Sequence, residues 1–120
     1  MTTQQVAEKL IEFCRADNNL GAINELYADN IISKEMEGAP RGVITGKEEV
    51  LKKNQEWLES VVEFHGGTIS EPQISGNFFS VVMDMDVTYK EYGRMYMTEI
   101  GVYEVKDGKI VSEQFFYSMG

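Results

Sequence analysis

The chain has 120 residues, a net charge of −9, 42% apolar and 26% charged residues. That is the make-up of one globular domain able to bury roughly two thirds of its unfolded surface, so neither disulfides nor a structural metal is required. An acidic balance with no Lys/Arg cluster argues against a nucleic-acid partner, and Cys14, the only cysteine, excludes an internal disulfide and points to a reducing cytosol.

Met1 to Gln5 has no basic region followed by an apolar core, so no signal peptide is expected. No apolar run approaches the ~20 residues of a membrane span. The first predicted helix covers Thr3 to Ala16, with Val6, Leu10, Phe13 and Cys14 on one stripe and Thr2 and Gln5 at capping-box spacing. Asp17-Asn18-Asn19 breaks it and caps a short second helix that carries Leu20, Ile23, Leu26 and Tyr27 inward. Asp29-Asn30 ends that helix, and Ile31 to Met36 reads as a short strand. Glu37 to Thr45 is a Gly/Pro loop. The third helix opens at Thr45-Gly46-Lys47-Glu48, again at capping-box spacing. Val50, Leu51, Trp57, Leu58, Val61 and Val62 form its apolar stripe.

Near residue 64 the apolar period changes from three and four to two. Four strands are predicted, at residues 64–70, 78–89, 94–105 and 109–119. Asp107-Gly108 is a hairpin signal, because both residues accept positive φ angles. Helices first and strands after is the order of an α+β domain whose curved, mainly antiparallel sheet is covered on one face by three helices. Residues 1–120 form one such domain.

Leu26-Tyr27-Ala28-Asp29-Asn30 leads into a strand, a Gly/Pro loop and a helix opening Thr45-Gly46-Lys47-Glu48-Glu49, and the chain later runs Val105-Lys106-Asp107-Gly108-Lys109-Ile110-Val111. In order and spacing this resembles the nuclear transport factor 2-like superfamily, closest to SnoaL-like and ketosteroid isomerase-like proteins, over essentially the whole chain. The resemblance implies a cone-shaped α+β barrel with a pocket open at one end. It implies that Glu35 matches the proton-shuttling aspartate of the ketosteroid isomerases. It also exposes two departures: the strand position that is acidic in many relatives is Gly101, and the helix-1 tyrosine position is Ile11.

Glu35, at the end of its predicted strand, is the first candidate base. Its free pKa of ~4.3 is low for that work, and burial in an apolar pocket would raise it. Glu99 shares a strand face with Met95, Met97, Gly101 and Tyr103, where a carboxyl needs a partner or a proton. It is either a substitute acid or a structural hydrogen-bond acceptor. His65, the only histidine, excludes multi-histidine metal sites and is either a dyad partner of Glu35, Glu99 or Asp86, or an exposed strand-start residue. Asp84 and Asp86 fall on one side of a strand, as a solvated face or a cation seat. Met83, Met85, Met95 and Met97, with Tyr27, Trp57 and Tyr103, either line a pocket for a small apolar molecule or pack the core. Of Phe116 and Tyr117, the inward one closes the pocket floor.

There is no phosphate loop, nucleophile elbow or metal motif, so neither cofactor nor metal is expected. The expected activity is cofactor-free isomerisation, cyclisation or dehydration of an apolar substrate. The alternative is a non-catalytic ligand-binding or protein-interaction domain. The sheet face bearing Tyr96, Ile100, Val102, Ser80, Val82 and Thr88 is apolar enough to predict a homodimer, and the resemblance implies one through this sheet.

Overall fold

The computed structural model describes residues 1–118. Its elements are α1 (Thr3–Arg15), α2 (Asn19–Leu26), β1 (Tyr27–Lys34), β2 (Val43–Thr45), α3 (Lys47–Ser60), β3 (Val61–Ile69), β4 (Gln73–Ser75), β5 (Phe78–Tyr89), β6 (Gly93–Lys106) and β7 (Lys109–Phe116). The sheet order is β2-β1-β7-β6-β5-β3, with β4 paired to β5. Only β1 and β7 run parallel; the other pairs are antiparallel. The expected α+β architecture holds: three helices on a mixed, mostly antiparallel sheet.

The capping box of α1 forms as its spacing predicts. The Thr2 hydroxyl accepts from the Gln5 N–H at 3.1 Å, and the Gln5 side chain accepts from the Thr2 N–H at 2.9 Å. Asn18 caps α2 by accepting from the Gly21 N–H at 3.0 Å. A Cβ at position 21 would stand 2.4 Å from the Asn18 amide, so the cap requires this glycine.

Three expectations at helix ends are corrected. α2 stops at Leu26, and Tyr27 opens β1 in extended conformation while staying inward. α3 is capped by Gly46 at φ 103°, without a side-chain bond from Thr45; Glu48 and Glu49 in its first turn complement the helix dipole instead. α3 also ends at Ser60, whose hydroxyl donates to the Trp57 carbonyl at 2.6 Å. Val61 and Val62, expected on its stripe, begin β3, where β-branched residues fit better.

The core gathers Val6, Leu10, Ile23, Leu26, Ile31 and Val50 from the first half of the chain against Phe79, Val81, Tyr103, Val105 and Ile110 from the sheet. β5 and β6 pair without interruption from Phe78↔Glu104 to Tyr89↔Gly93. Along their inner face burial declines toward the Tyr89–Gly93 hairpin. Phe79, Val81 and Tyr103 are buried, Met83, Met85 and Met97 are half-buried, and Met95 is 40% exposed. Val87 alone stays fully enclosed on that stretch. No described helix is long and apolar enough to cross a membrane.

Candidate functional site

The site begins with an irregularity in β7. Ile110 pairs with Val105, but Ser112 pairs with Glu104, so Val111 is an extra residue. Such a bulge shifts the inward alternation by one. Ile110 faces the core before it; Glu113 and Phe115 face inward after it. Glu113 is thereby placed in the interior, where its two oxygens accept from Ser33 Oγ at 2.7 Å and from the Tyr27 hydroxyl. Burial raises its pKa, and the two O–H donors and Lys53 pull it back down. Tyr27, expected as an aromatic wall, is instead a buried donor to this carboxyl.

Glu35 lies just beyond the end of β1. Lys53 of α3 donates to one of its oxygens at 2.6 Å, and the Tyr117 hydroxyl to the other at 2.9 Å. The expected apolar surroundings are corrected: a cation and a phenol flank this carboxyl. Tyr117 is thus the inward residue of its pair, while Phe116 is exposed on the outer face. The bond to Glu35, after burial, pushes the Tyr117 phenol up to about 12.

Glu99 stands on the inner face of β6, opposite Met83. It forms no hydrogen bond among the described residues. Burial, and then the negative charge of Glu35 and Glu113, pushes its pKa up to about 7; Lys53 opposes them. Its carboxyl therefore exchanges a proton in the physiological range, as a general acid or base must. Glu35, Glu99, Glu113 and Lys53 stand near enough for their charges to act on one another.

The methionines divide. Met83 packs on the core, while Met85 and Met97 pair across β5 and β6 at the half-covered end, beside Met95. Trp57 stands at that end. Its indole N–H donates to the Tyr89 hydroxyl at 3.1 Å, and the rings meet edge to face. Tyr103 is packed face to face on Phe79, with ring centroids 4.8 Å apart.

His65 is not brought to this cluster. It is the extra residue of a bulge in β3, between Phe64↔Val87 and Gly66↔Asp86, and bonds Thr88 at 2.7 Å on the sheet's other face. The bulge sets it apart from Glu35 and Glu99. Asp84 and Asp86 share that outer face and are already engaged. Asp84 accepts from the Thr68 N–H and hydroxyl, and Asp86 from the Arg94 guanidinium at 2.9 and 3.0 Å. Two surface hollows at α1, of about 390 and 200 Å³, contain none of the three carboxyls.

The family model described as SnoaL-like domain matches residues 1–117. Among solved structures, the chain is similar to a Mesorhizobium loti protein carrying the provisional description SnoaL-like polyketide cyclase. That likeness has 39% identity, a TM-score of 0.92, and covers 98% of this chain and 100% of the other. A Mycobacterium tuberculosis LEH-like epoxide hydrolase shares the fold at 14% identity and TM-score 0.73, covering 97% and 82% of the two chains. So does a ketosteroid isomerase-like protein from Catenulispora acidiphila, in complex with trimethylamine, at 14% identity and TM-score 0.75, covering 95% and 85%. No curated protein matches the chain.

Proposed function

The chain belongs to the SnoaL-like domain family, and from that premise we propose that it binds a small, largely apolar organic molecule on its concave face and performs cofactor-free acid/base chemistry on it. The reaction class is isomerisation, aldol-type cyclisation or dehydration. One arrangement carries this reading: Glu99 stands on the inner face without a hydrogen-bond partner among the described residues, in the field of a second carboxylate, Glu35, that has its own cation, and burial with that charge raises the Glu99 pKa to about 7. Environments that set two neighbouring carboxyls to different tasks are how acid and base are assigned in one site. Glu99 is the proton donor and acceptor. Glu35, steadied by Lys53 and Tyr117, is the base that accepts a proton from the bound molecule. Met85, Met95, Met97 and Trp57 supply adaptable apolar contact.

A non-catalytic binding domain of the same fold is the competing reading, favoured by glycine at position 101 and isoleucine at position 11. A homodimer in the cytosol completes the proposal, supported by the exposed outer face of the sheet and the single cysteine. The test is a thermal-shift screen of steroids, polyketide-like aromatics and terpenoids. A ligand at a hundredfold excess over its dissociation constant stabilises by about 2.7 kcal/mol. Turnover of a hit that both Glu99→Gln and Glu35→Gln abolish supports the enzyme; binding without turnover supports the carrier.

A further inference from the structure

Among the described residues the Lys53 ammonium donates to Glu35 alone, at 2.6 Å, although an ammonium has three N–H donors. Glu35 does not depend on that bond alone, because the Tyr117 hydroxyl donates to its other oxygen at 2.9 Å. Glu99 has acceptor capacity and no donor among the described residues. The charges that act on it come from Glu35 beyond the end of β1, Glu113 of β7 and Lys53 of α3, and of these only Lys53 is a cation. The phenols of Tyr89, Tyr103 and Tyr117 feel the Glu99 charge in turn, and burial first of all raises the pKa of each, so they stay neutral. The Lys53 and Glu35 side chains are 24% and 16% exposed. Their pair is sheltered enough for its charges to count and is not locked in the core.

Isomerisation, aldol-type cyclisation and dehydration each take one proton from the organic molecule and return one to it. With Glu35 as acceptor and Glu99 as donor, the molecule's charge is unchanged at the end, while Glu35 has become neutral and Glu99 anionic. One negative charge has crossed from one carboxyl to the other. A sheltered carboxylate without a partner is costly. A cation held on Glu35 would then face a neutral acid and leave Glu99 uncompensated. Lysine carries its charge as a compact ammonium on a flexible stem, with donors to spare. We propose that Lys53 is a positioning residue whose ammonium passes from Glu35 to Glu99 as the protons are exchanged, so that one cation stays with whichever carboxyl is ionised. The inference rests on the acid/base reading of these two glutamates and supplies its charge balance. Glu99 then releases its proton without becoming an unpaired anion. When Glu35 gives its proton to water and Glu99 regains one, the ammonium returns to Glu35, which Tyr117 holds in place.

Glu35→Gln mimics the state reached once Glu35 has taken its proton, because the side chain keeps its size and loses its charge. The Glu99 carboxyl is titrated by ¹³C NMR in the intact wild type, Glu35→Gln, Lys53→Met and the double variant. Removing the Glu35 charge lowers the Glu99 midpoint in either background. With Lys53 present, the freed ammonium also becomes an adjacent opposite charge, which lowers a carboxyl by about 1–3 pH units. Glu35→Gln should therefore weaken proton binding at Glu99 at least about tenfold more in the wild-type background than in the Lys53→Met background. A crystal structure of Glu35→Gln at pH 8 should place Lys53 Nζ about 2.7–2.9 Å from a Glu99 oxygen. That measurement needs no Lys53 variant and is decisive even where Lys53→Met does not fold. A smaller difference between the two backgrounds, or an ammonium that does not reach Glu99 in Glu35→Gln, overturns the assignment and leaves Glu99 standing as a titrating acid. A wild-type Glu99 midpoint at or below ~4.3 overturns both the assignment and the acid/base reading beneath it.

Discussion

Two glutamates on the inner face are stabilised in different ways, and the difference sets what each can do. Glu113 has two O–H donors, Tyr27 and Ser33, which compensate the burial of a carboxyl. Tyr27→Phe removes one donor and leaves the carboxyl half satisfied. It should destabilise the protein by about 1–3 kcal/mol in denaturant titrations, although the ring's apolar contacts remain. Glu99 has no such donor and keeps its proton instead. Folded Glu99 titrates near 7, whereas the unfolded chain releases that proton near ~4.3. Between those values the native state binds more protons, so stability falls as pH rises and the loss is complete above about 7. Glu99→Gln avoids that loss. It should match wild type at pH 4 and exceed it at pH 9 by roughly 1–3 kcal/mol, allowing for partial solvent access. Urea midpoints across this range measure the effect. A variant less stable than wild type at pH 9 would mean that the ionised carboxylate is favourably paired.

At the scale of elements, turns and caps decide where side chains point. The Asp107-Gly108 turn between β6 and β7 has φ angles of 52° and 75°, as the sequence signal requires. A Cβ on Gly108 would be strained at that angle and would stand 3.0 Å from the Met1 nitrogen. Gly108→Ala should therefore cost about 1–2 kcal/mol, read from the thermal midpoint. This hairpin, the α1 capping box and the long β5 and β6 strands were legible because each rests on local chemistry or unbroken alternation. The inward placement of Glu99 followed from that alternation. Glu113 was not legible. Strict period two from Ile110 sends it to the outer face, and only the bulge at Val111, set by pairing with Glu104 and Val105, turns it inward. His65, which sits on another bulge, takes the exposed alternative that the sequence left open beside the dyad. Lys53 was also missed: a lysine on a helix reads as a solvated charge until the fold places a carboxylate beside it. The α3 boundary slipped because Val61 and Val62 continue the helical spacing, whereas the pairing of β3 with β5 claims them for the sheet.

At the scale of the molecule, the sheet has two faces with opposite uses. The outer face exposes Val82 at 49%, Tyr96 at 67%, Ile100 at 45% and Phe116 at 42%. Apolar groups of that size on neighbouring strands favour association. A two-fold dimer is expected, and sedimentation at micromolar concentration should show it; replacing Ile100 and Phe116 together by Lys should shift the protein toward monomer. A clean wild-type monomer would remove the dimer from the account. The inner face is covered by helices at one end and open at the other, and Glu99 lies between the buried and exposed regions. Whether this face is a site for proton transfer turns on that one carboxyl. Its titration, followed by ¹³C NMR of the Glu99 side-chain carboxyl in the intact chain, tests the claim most directly. The account predicts a midpoint near 7, moving downward in Glu35→Gln as a neighbouring negative charge is removed. A midpoint at or below the ~4.3 of a free glutamate would contradict it, because Glu99 would then be a permanently charged, solvated or paired group with no proton to exchange at neutral pH.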